Sequence, residues 1–371
     1  MTAAGKPGGI PAYAEQLAVA LGRVAPASTL VLWCGSETSA RAARRLAPPN
    51  ARVVTPTRLV RYVAKWGQMG RLNPLTVESL VGPVEVFHGL NFFLPAQRGR
   101  VRLVATFHDL SALTHPEWHP WERVLTMRGA LRRTASLVDH VITPTEAVRA
   151  EAMAVLGLSP EAVTAIPHGV STAFRPRQAE ELKPVLDRFG LRPGGYLCFT
   201  GAIEPRKNLG RLLDAIAAVG ARRPDVPTLV LIGPPGWRNA EIRARLQSPR
   251  VRYLGYLAPT DMAVLVAGSL FFVYPSLYEG FGLPVLEALA SGVPVLTSAG
   301  GALGEVAGDG AFLVDPVRTD AIAAAVERLL DDATLRATLA RRGRERAARF
   351  SWEEAAAATL RVYQRVSARI E

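Results

Sequence analysis

With 371 residues, 49% of them apolar and 20% charged, the chain can bury two or three domain cores and lies outside the composition of disordered proteins. Its longest uncharged apolar run, 263–275, falls short of the roughly 20 residues that span a bilayer, which excludes a transmembrane helix. Basic residues number 44 against 32 acidic, a net charge of +12 shared by both halves, so the field favours nucleic acid, an anionic membrane surface or a phosphorylated small molecule.

The chain opens on Gly5-Lys6-Pro7-Gly8-Gly9-Ile10, a loop of the kind that follows the first strand of a sheet, with no apolar strand ahead of it. In a doubly wound sheet that strand is central, so its absence predicts unpaired ladder groups; either the strand was lost or the start is late, and a truncated reading frame is the expectation. Residues 1–9 also lack the charged start and apolar core of a signal peptide. Apolar runs at 29–34, 84–88, 103–107, 140–143 and 163–166 read as strands with helical stretches between them. The same rhythm continues at 196–200, 228–232, 252–254, 270–274, 294–297 and 311–314. Strands alternating with helices predict an α/β architecture of two doubly wound domains joined between 167 and 195, with ligands at the carboxyl ends of the strands. Helices are predicted at 318–331 and 334–349, and a last one is opened by Ser351 with Glu354 three residues on. Cys34 and Cys198 stand far apart in strand-like runs and read as buried thiols of a reducing compartment, which predicts a cytoplasmic protein.

The densest chemistry lies in the segment running from Tyr278 to Gly292. A strand ends near Tyr274, Gly280 and Gly282 permit a tight turn, and Pro284 suits the first turn of a helix. Backbone N–H groups at that helix start would face an anion, while Glu279 and Glu287 accept hydrogen bonds from hydroxyls, the needs of a sugar nucleotide. Arg206 and Lys207 follow a strand and turn, where adjacent cations stabilise the charge developing on a diphosphate.

The spacing of Glu279 and Glu287 around Gly280-Phe281-Gly282-Leu283-Pro284 resembles the E-x7-E signature of family 4 retaining glycosyltransferases of the GT-B fold. The resemblance extends through Gly8-Gly9-Ile10, Phe107-His108-Asp109-Leu110, Thr143-Pro144-Thr145-Glu146, Ile166-Pro167-His168-Gly169-Val170 and Gly201-Ala202-Ile203-Glu204-Pro205-Arg206-Lys207-Asn208. His168 departs from the family, which more often has Asn there. The resemblance implies two Rossmann-like doubly wound domains facing across a cleft: 1–170 on the acceptor side, 171–350 binding the nucleotide sugar, and a terminal helix 351–371 packing back on the first.

For the site, the resemblance implies catalytic roles for His108, Arg206, Lys207 and Glu279, and substrate binding by Gly8, Gly9, Arg206, Lys207, Glu279, Gly280, Phe281, Gly282, Leu283 and Glu287. It implies retention without a protein nucleophile, no metal and no cofactor. Its likeness to bacterial mannosyltransferases of surface polysaccharide assembly favours GDP-mannose over a UDP- or dTDP-sugar, with a glycan or lipid-linked acceptor. His88 is a further candidate for the acceptor side, and Tyr256 with Leu257 for the nucleobase. His115 and His119 with Glu117 have metal-like spacing, but Pro116 and Pro120 interrupt a helix there. Trp66, Phe92, Phe93, Trp118 and Trp121 set aromatics among basic residues, a surface for a sugar acceptor or for peripheral contact with the inner face of the cell membrane. No nucleic-acid module is evident. Two competing readings follow from the same residues: a sugar-nucleotide epimerase of the same fold, and a non-enzymatic basic protein binding polyanions or membrane.

Overall fold

A computed structural model describes residues 8–55, 57, 76–92, 94, 99–237 and 240–368. The chain divides into two compact units. Unit 1 comprises Met1–Pro116, Trp121–Gly169 and Ser351–Glu371; unit 2 comprises Glu117–Pro120 and Val170–Phe350.

In unit 1, helix α1 (Gly9–Val24) starts at Gly8, whose φ of 141° only glycine adopts readily, and buries Tyr13, Leu17 and Leu21 at helical spacing. Strand β1 (Leu30–Trp33) pairs in parallel with β2 (Ala51–Val54) as a two-stranded ladder. A separate parallel sheet holds β3 (Val86–Gly89), β4 (Arg102–Thr106), β5 (His140–Thr143) and β6 (Val163–Ala165) in that order. Strand β2 escapes the sequence reading because Ala-Arg-Val-Val carries a charge and no fully buried residue, the habit of an edge strand. Helix α2 (Trp121–Leu137) packs Val124, Met127, Leu131 and Thr134 inward. The terminal helix, Trp352–Ser367, is capped by Ser351 Oγ accepting the Glu354 N–H at 3.0 Å. Its Trp352, Ala355, Ala356 and Val362 share a core with Tyr13, Leu17 and Leu21 of α1. The segment after β6 also runs close to the start of this helix: a Cβ on Gly169 would lie 2.3 Å from the Trp352 nitrogen.

Unit 2 is built on one parallel sheet ordered β12-β11-β10-β7-β8-β9. Its strands are β7 (Tyr196–Thr200), β8 (Thr228–Ile232), β9 (Val251–Gly255), β10 (Phe271–Tyr274), β11 (Val295–Ser298) and β12 (Phe312–Val314). The central strands β7, β10 and β11 are buried at every residue, as expected of a sheet with both faces covered. Helix α3 (Leu209–Arg222) follows β7, and helix α4 (Leu283–Ala290) follows β10. The first strand, β7, lies between β8 and β10, so the chain leaves these central neighbours in opposite directions and opens a crevice at their carboxyl ends. Both cysteines are buried free thiols, and among the described residues no helix is long and apolar enough to cross a membrane.

Candidate active site

The crevice of unit 2 is where Arg206, Lys207 and Glu279 meet. After β7 the chain runs through Gly201 into a 3-10 turn, Pro205–Lys207, and then Asn208, whose φ of 59° is the one left-handed non-glycine conformation among the described residues. Asn208 is held there because its Nδ2 donates to the Pro275 and Pro316 carbonyls at 2.9 and 2.7 Å. This clamp fixes Arg206 and Lys207 beside the loop that leaves β10, whose Leu277 N–H donates to the Arg206 carbonyl at 2.8 Å.

The Glu279 carboxylate joins the two segments. Its Oε2 accepts from Arg206 at 2.7 Å, and its Oε1 accepts from Lys207 Nζ at 2.5 Å, Ser276 Oγ at 2.8 Å and Tyr274 Oη at 3.0 Å. Arg206 Nε also pairs with Glu204 at 2.7 Å, and Lys207 Nζ donates to Tyr274 Oη at 2.5 Å. All these side chains are largely buried; Lys207 and Glu279 are each 8% exposed. Burial by itself would push the Glu279 carboxyl up, but the Arg206 and Lys207 charges and the hydrogen bonds outweigh it and hold it at about 2. Burial, then the neighbouring Arg206, draws the Lys207 ammonium below its ordinary value, with Glu279 opposing. Both cations are thus matched by carboxylates, where the sequence suggested a bare basic pair.

The turn into α4 departs from the expected row of free N–H donors. Gly282 is left-handed at φ 97°, and a Cβ there would strike Leu303 at 2.5 Å. Its carbonyl takes the N–H groups of Val285 and Leu286 at 2.9 and 3.2 Å, and Pro284 has none. Among the described residues, Leu283 is left as the unpartnered backbone donor of that first turn. The Phe281 ring is in the core, edge-on to Phe350, so that residue can meet a ligand only through its backbone. Glu287, on the second turn, is largely buried with no hydrogen bond or ion pair to its carboxylate among the described residues, and burial pushes it up to about 8.

In unit 1, His108 stands just past the end of β4 with Nε2 hydrogen-bonded to the Leu90 carbonyl at 3.0 Å. Its ring meets Tyr13 edge-on at 4.7 Å, one turn into the helix that Gly8 and Gly9 begin, so these three candidates share one end of the unit. Burial draws the His108 imidazole below its ordinary value, as it does His168, whose ring stacks on Trp352 at 5.8 Å. His88 is spanned by two hydroxyls, Tyr363 Oη on Nδ1 at 2.6 Å and Thr106 Oγ1 on Nε2 at 2.8 Å, and Thr106 continues to Tyr13 Oη at 2.9 Å. Both ring nitrogens being engaged, His88 positions its neighbours.

Other candidates separate. A short helix ends at Thr114 and Pro116–Trp118 is a 3-10 turn, so His115 and His119 share no helix face. Within unit 2, the His119 ring lies 5.8 Å from Trp237, whose Nε1 donates to the Trp118 carbonyl at 2.8 Å, and the Trp118 ring lies 6.2 Å from Tyr278. Tyr256, after β9, is 53% exposed. Phe92 is buried, and Trp66, Phe93 and the segment Gly5-Lys6-Pro7 lie outside the described residues.

Comparison with known proteins fits this geometry. Residues 7–174 match glycosyltransferase family 4, and residues 192–346 match the family of glycosyl transferases group 1. The chain is 35% identical over 283 residues to O-antigen chain mannosyltransferase B of Escherichia coli, covering 75% of this chain and 74% of that protein. This chain belongs to the GT-B glycosyltransferases. The glycosyltransferase is also 32% identical to D-inositol 3-phosphate glycosyltransferase of Jonesia denitrificans, over 74% of this chain and 68% of that one. Among solved structures it is similar to Anabaena Alr3699/HepE in complex with UDP and glucose, with a TM-score of 0.73, 19% identity and 97% of each chain covered. Sucrose-phosphate synthase from Thermosynechococcus elongatus gives a TM-score of 0.73 at 22% identity, covering 98% of this chain and 94% of that one. These two similarities show the fold.

Four residues around the carboxylate were not singled out from the sequence of the glycosyltransferase: Glu204, Asn208, Tyr274 and Ser276. The signal for Tyr274 and Ser276 was their place between the end of β10 and Glu279. For Glu204 it was the alternation of acid and base in Glu204-Pro205-Arg206.

Proposed function

We propose that this glycosyltransferase moves a hexose, mannose from GDP-mannose foremost, onto a hydroxyl of a glycan or lipid-linked acceptor in polysaccharide or glycolipid assembly, with retention of anomeric configuration. The observation that carries the reading is the Glu279 carboxylate bound by both Arg206 and Lys207 in the crevice of unit 2. A sugar nucleotide brings phosphates for the cations and hydroxyls for the carboxylates. Arg206 and Lys207 take the diphosphate, Glu279 takes sugar hydroxyls, and Glu287 takes the ribose hydroxyls. Gly280, Phe281, Gly282 and Leu283 line the turn with backbone. Because Glu204 and Glu279 balance the two cations, the donor exchanges with a carboxylate as it binds, and Glu279 turns from the cations to the sugar. Within unit 1, His108 and the start of α1 at Gly8 and Gly9 are the residues assigned to the acceptor side.

In the transfer step the acceptor oxygen bonds to the anomeric carbon while the bond from that carbon to the β-phosphate oxygen breaks. The bonding pair leaves with the nucleoside diphosphate, whose departing oxygen takes the acceptor proton. Arg206 and Lys207 stabilise the charge gathering on that oxygen. Support for mannose comes from the names of relatives: besides the Escherichia coli protein, the chain is 34% identical to MMP alpha-(1->4)-mannosyltransferase of Mycolicibacterium hassiacum, over 64% of this chain and 57% of that one.

Peripheral contact with an anionic membrane is supported by α2. Trp121 and Leu125, one turn apart, are 66% and 62% exposed on a helix that also carries Arg123, Arg128, Arg132 and Arg133. Large apolar side chains among arginines suit an anionic lipid interface.

The test is turnover with GDP-mannose, UDP-glucose and dTDP-glucose, reading nucleotide release and the product's anomeric configuration by NMR. Release that depends on acceptor and is fastest with GDP-mannose, giving an α-linked product, is expected. Turnover with UDP-glucose alone would retire mannose, and conversion of a donor without acceptor would favour the epimerase. Sedimentation with phosphatidylglycerol vesicles, weakened by Trp121→Ala, tests the membrane contact.

A further inference from the structure

Tyr274 is a buried titratable group beside the two cations of unit 2 that takes no part in the transfer step itself. It ends β10 fully buried, and its ring is stacked on Phe199 at 5.2 Å and on Phe272 at 5.9 Å. Its carbonyl accepts from Thr297 Oγ1 at 2.8 Å, so ring and backbone are both held and the hydroxyl stays where it is. That hydroxyl gives its one proton to Glu279 Oε1 at 3.0 Å, while its oxygen accepts from Lys207 Nζ at 2.5 Å. Lys207 Nζ is 5.1 Å from the ring centroid, so the ammonium lies off the hydroxyl end of the ring and not over its face.

The partners of Lys207 differ in what they can do during the reaction. An ammonium has three N–H groups, and among the described residues Glu279 Oε1 and Tyr274 Oη take two of them. When Glu279 turns to the sugar as the donor binds, two N–H groups are open to the phosphates and the phenol is the side chain still holding the third. The other charged groups facing Lys207 do not replace that hold: Arg206 repels the ammonium, and Glu204 is engaged by Arg206 Nε at 2.7 Å. A phenol holds a cation without neutralising it. Burial, and then the Glu279 charge, push the ionisation of Tyr274 well above its ordinary value, so it remains a neutral acceptor. A carboxylate kept in that place would cancel the charge that the departing diphosphate needs.

We propose that Tyr274 is a positioning residue of the transfer, whose hydroxyl holds the Lys207 ammonium in place, with its charge intact, after Glu279 has left it for the sugar. The proposal rests on the donor site assigned above and adds to it the group that steadies Lys207 while the bond to the diphosphate breaks.

The test is Tyr274→Phe, which keeps the ring stack and deletes the hydroxyl. With the donor that turns over fastest in the assay above, kcat should fall about 30-fold while the donor KM changes less than about threefold. Losing an acceptor of the charged form makes the Lys207 ammonium easier to deprotonate, so the alkaline limb of kcat/KM should move down by about one pH unit. The chain has four lysines, so 13C-lysine labelling reads the same shift at Lys207 Cε without turnover. In a Lys207→Ala background the Tyr274→Phe change should cost less than about threefold, because the hydroxyl acts through the cation. A hydroxyl that only supports the fold would cost as much there as in the wild type, and that result overturns the proposal. An alkaline limb that stays in place overturns it as well, as does one that moves up, which would make the phenol itself the titrating group. Wild-type turnover in Lys207→Ala would overturn the donor site and the proposal together, whereas wild-type turnover in Tyr274→Phe beside an inactive Lys207→Ala removes Tyr274 alone. Should Tyr274→Phe not fold, Glu279→Ala gives a second measurement. With the carboxylate gone, Lys207 Cε should still report an ammonium at about pH 7.5, and a neutral amine there overturns the proposal.

Discussion

The two units of this glycosyltransferase use the same grammar of parallel strands and crossover helices, yet among the described residues unit 2 joins six strands in one sheet while unit 1 divides its strands between two ladders. In unit 2, β7 has neighbours on both sides, and the loops that leave β7 and β10 are brought together tightly enough to bury two cations against two carboxylates. In unit 1 the side chains at the strand ends are held by aromatic contacts and a chain of neutral hydrogen bonds. The lesson is that two adjacent strands, β7 and β10, bring their loops close enough to fix charged groups at the carboxyl edge of the sheet. Substitutions in the two units should accordingly fail in different ways.

The largest effect belongs to unit 2. Lys207→Ala removes a cation that only the departing diphosphate needs at full strength, so kcat should fall by roughly 1000-fold, the scale of losing one oxyanion donor. The Thr106→Val change in unit 1 should leave kcat within about tenfold, since it breaks a positioning contact. Steady-state kinetics on both variants checks the contrast; equal losses would remove the division between the units. Circular dichroism should show both variants folded.

Next come two glycines, one in each unit. A Cβ on Gly233 would lie 2.1 Å from the Gly201 carbonyl oxygen, on a backbone already at φ 151°. A Cβ on Gly169 would lie 2.3 Å from the Trp352 nitrogen. Gly233→Ala and Gly169→Ala should each destabilise by about 3 kcal/mol through backbone that has to move. Their consequences differ. The first deforms the strand-end loops of unit 2 and should weaken donor binding; the second pushes the start of the terminal helix away from the segment after β6. Scanning calorimetry with and without GDP-mannose separates them, because the donor should recover less stability in Gly233→Ala than in Gly169→Ala.

How far the sequence went follows the same contrast. Strands such as Tyr-Leu-Cys-Phe-Thr and Phe-Phe-Val-Tyr are legible because a doubly covered sheet demands continuous apolar runs, and both are buried throughout. β2 was not legible, because an edge strand needs no such run. Arg206, Lys207, Glu279 and Glu287 could be read from residue type and spacing. That Glu279 would close on Arg206 and Lys207 could not, since that pairing is made across two loops more than seventy positions apart and depends on β7 lying beside β10. The helix start of α4 was read as a fuller anion nest than it is, because Pro284 and the Gly282 carbonyl use up its donors.

The two carboxylates of unit 2 also carry opposite pH signatures. Glu287 is pushed up to about 8 by burial, so the stability it lends is present below its ordinary 4.5 and is lost as pH rises through about 8. Glu279 is held at about 2 by its cations, so its contribution is present above 4.5 and is lost as pH falls towards 2. Glu287→Gln should therefore flatten the decline in melting temperature between about pH 5 and 8 and leave the acid limb unchanged. On the proposed ribose contact, GDP-mannose binding near pH 7 ionises Glu287 and releases a proton, visible as a heat of binding that varies with the ionisation enthalpy of the buffer. No buffer dependence would separate Glu287 from the donor.

The smallest expected effect tests whether the hydrogen-bond chain of unit 1 does more than position. Tyr363→Phe deletes the hydroxyl on His88 Nδ1 and keeps the ring that packs edge-on against the imidazole at 5.6 Å. The cost should be about 1 kcal/mol, one neutral hydrogen bond, measured by urea unfolding at pH 7.5. His88 is drawn down to about 3, first by burial and then by the neighbouring His108. It is therefore neutral in the folded state, and its contribution is complete above pH 6.5 and lost as pH falls towards 3. The variant should share that acid limb with the wild type, because burial and not the hydroxyl sets it. A shift of the limb, or a fall in kcat beyond tenfold, would mean that the hydroxyl chain from Tyr363 to Tyr13 governs protonation beside His108, and unit 1 would then carry chemistry of its own.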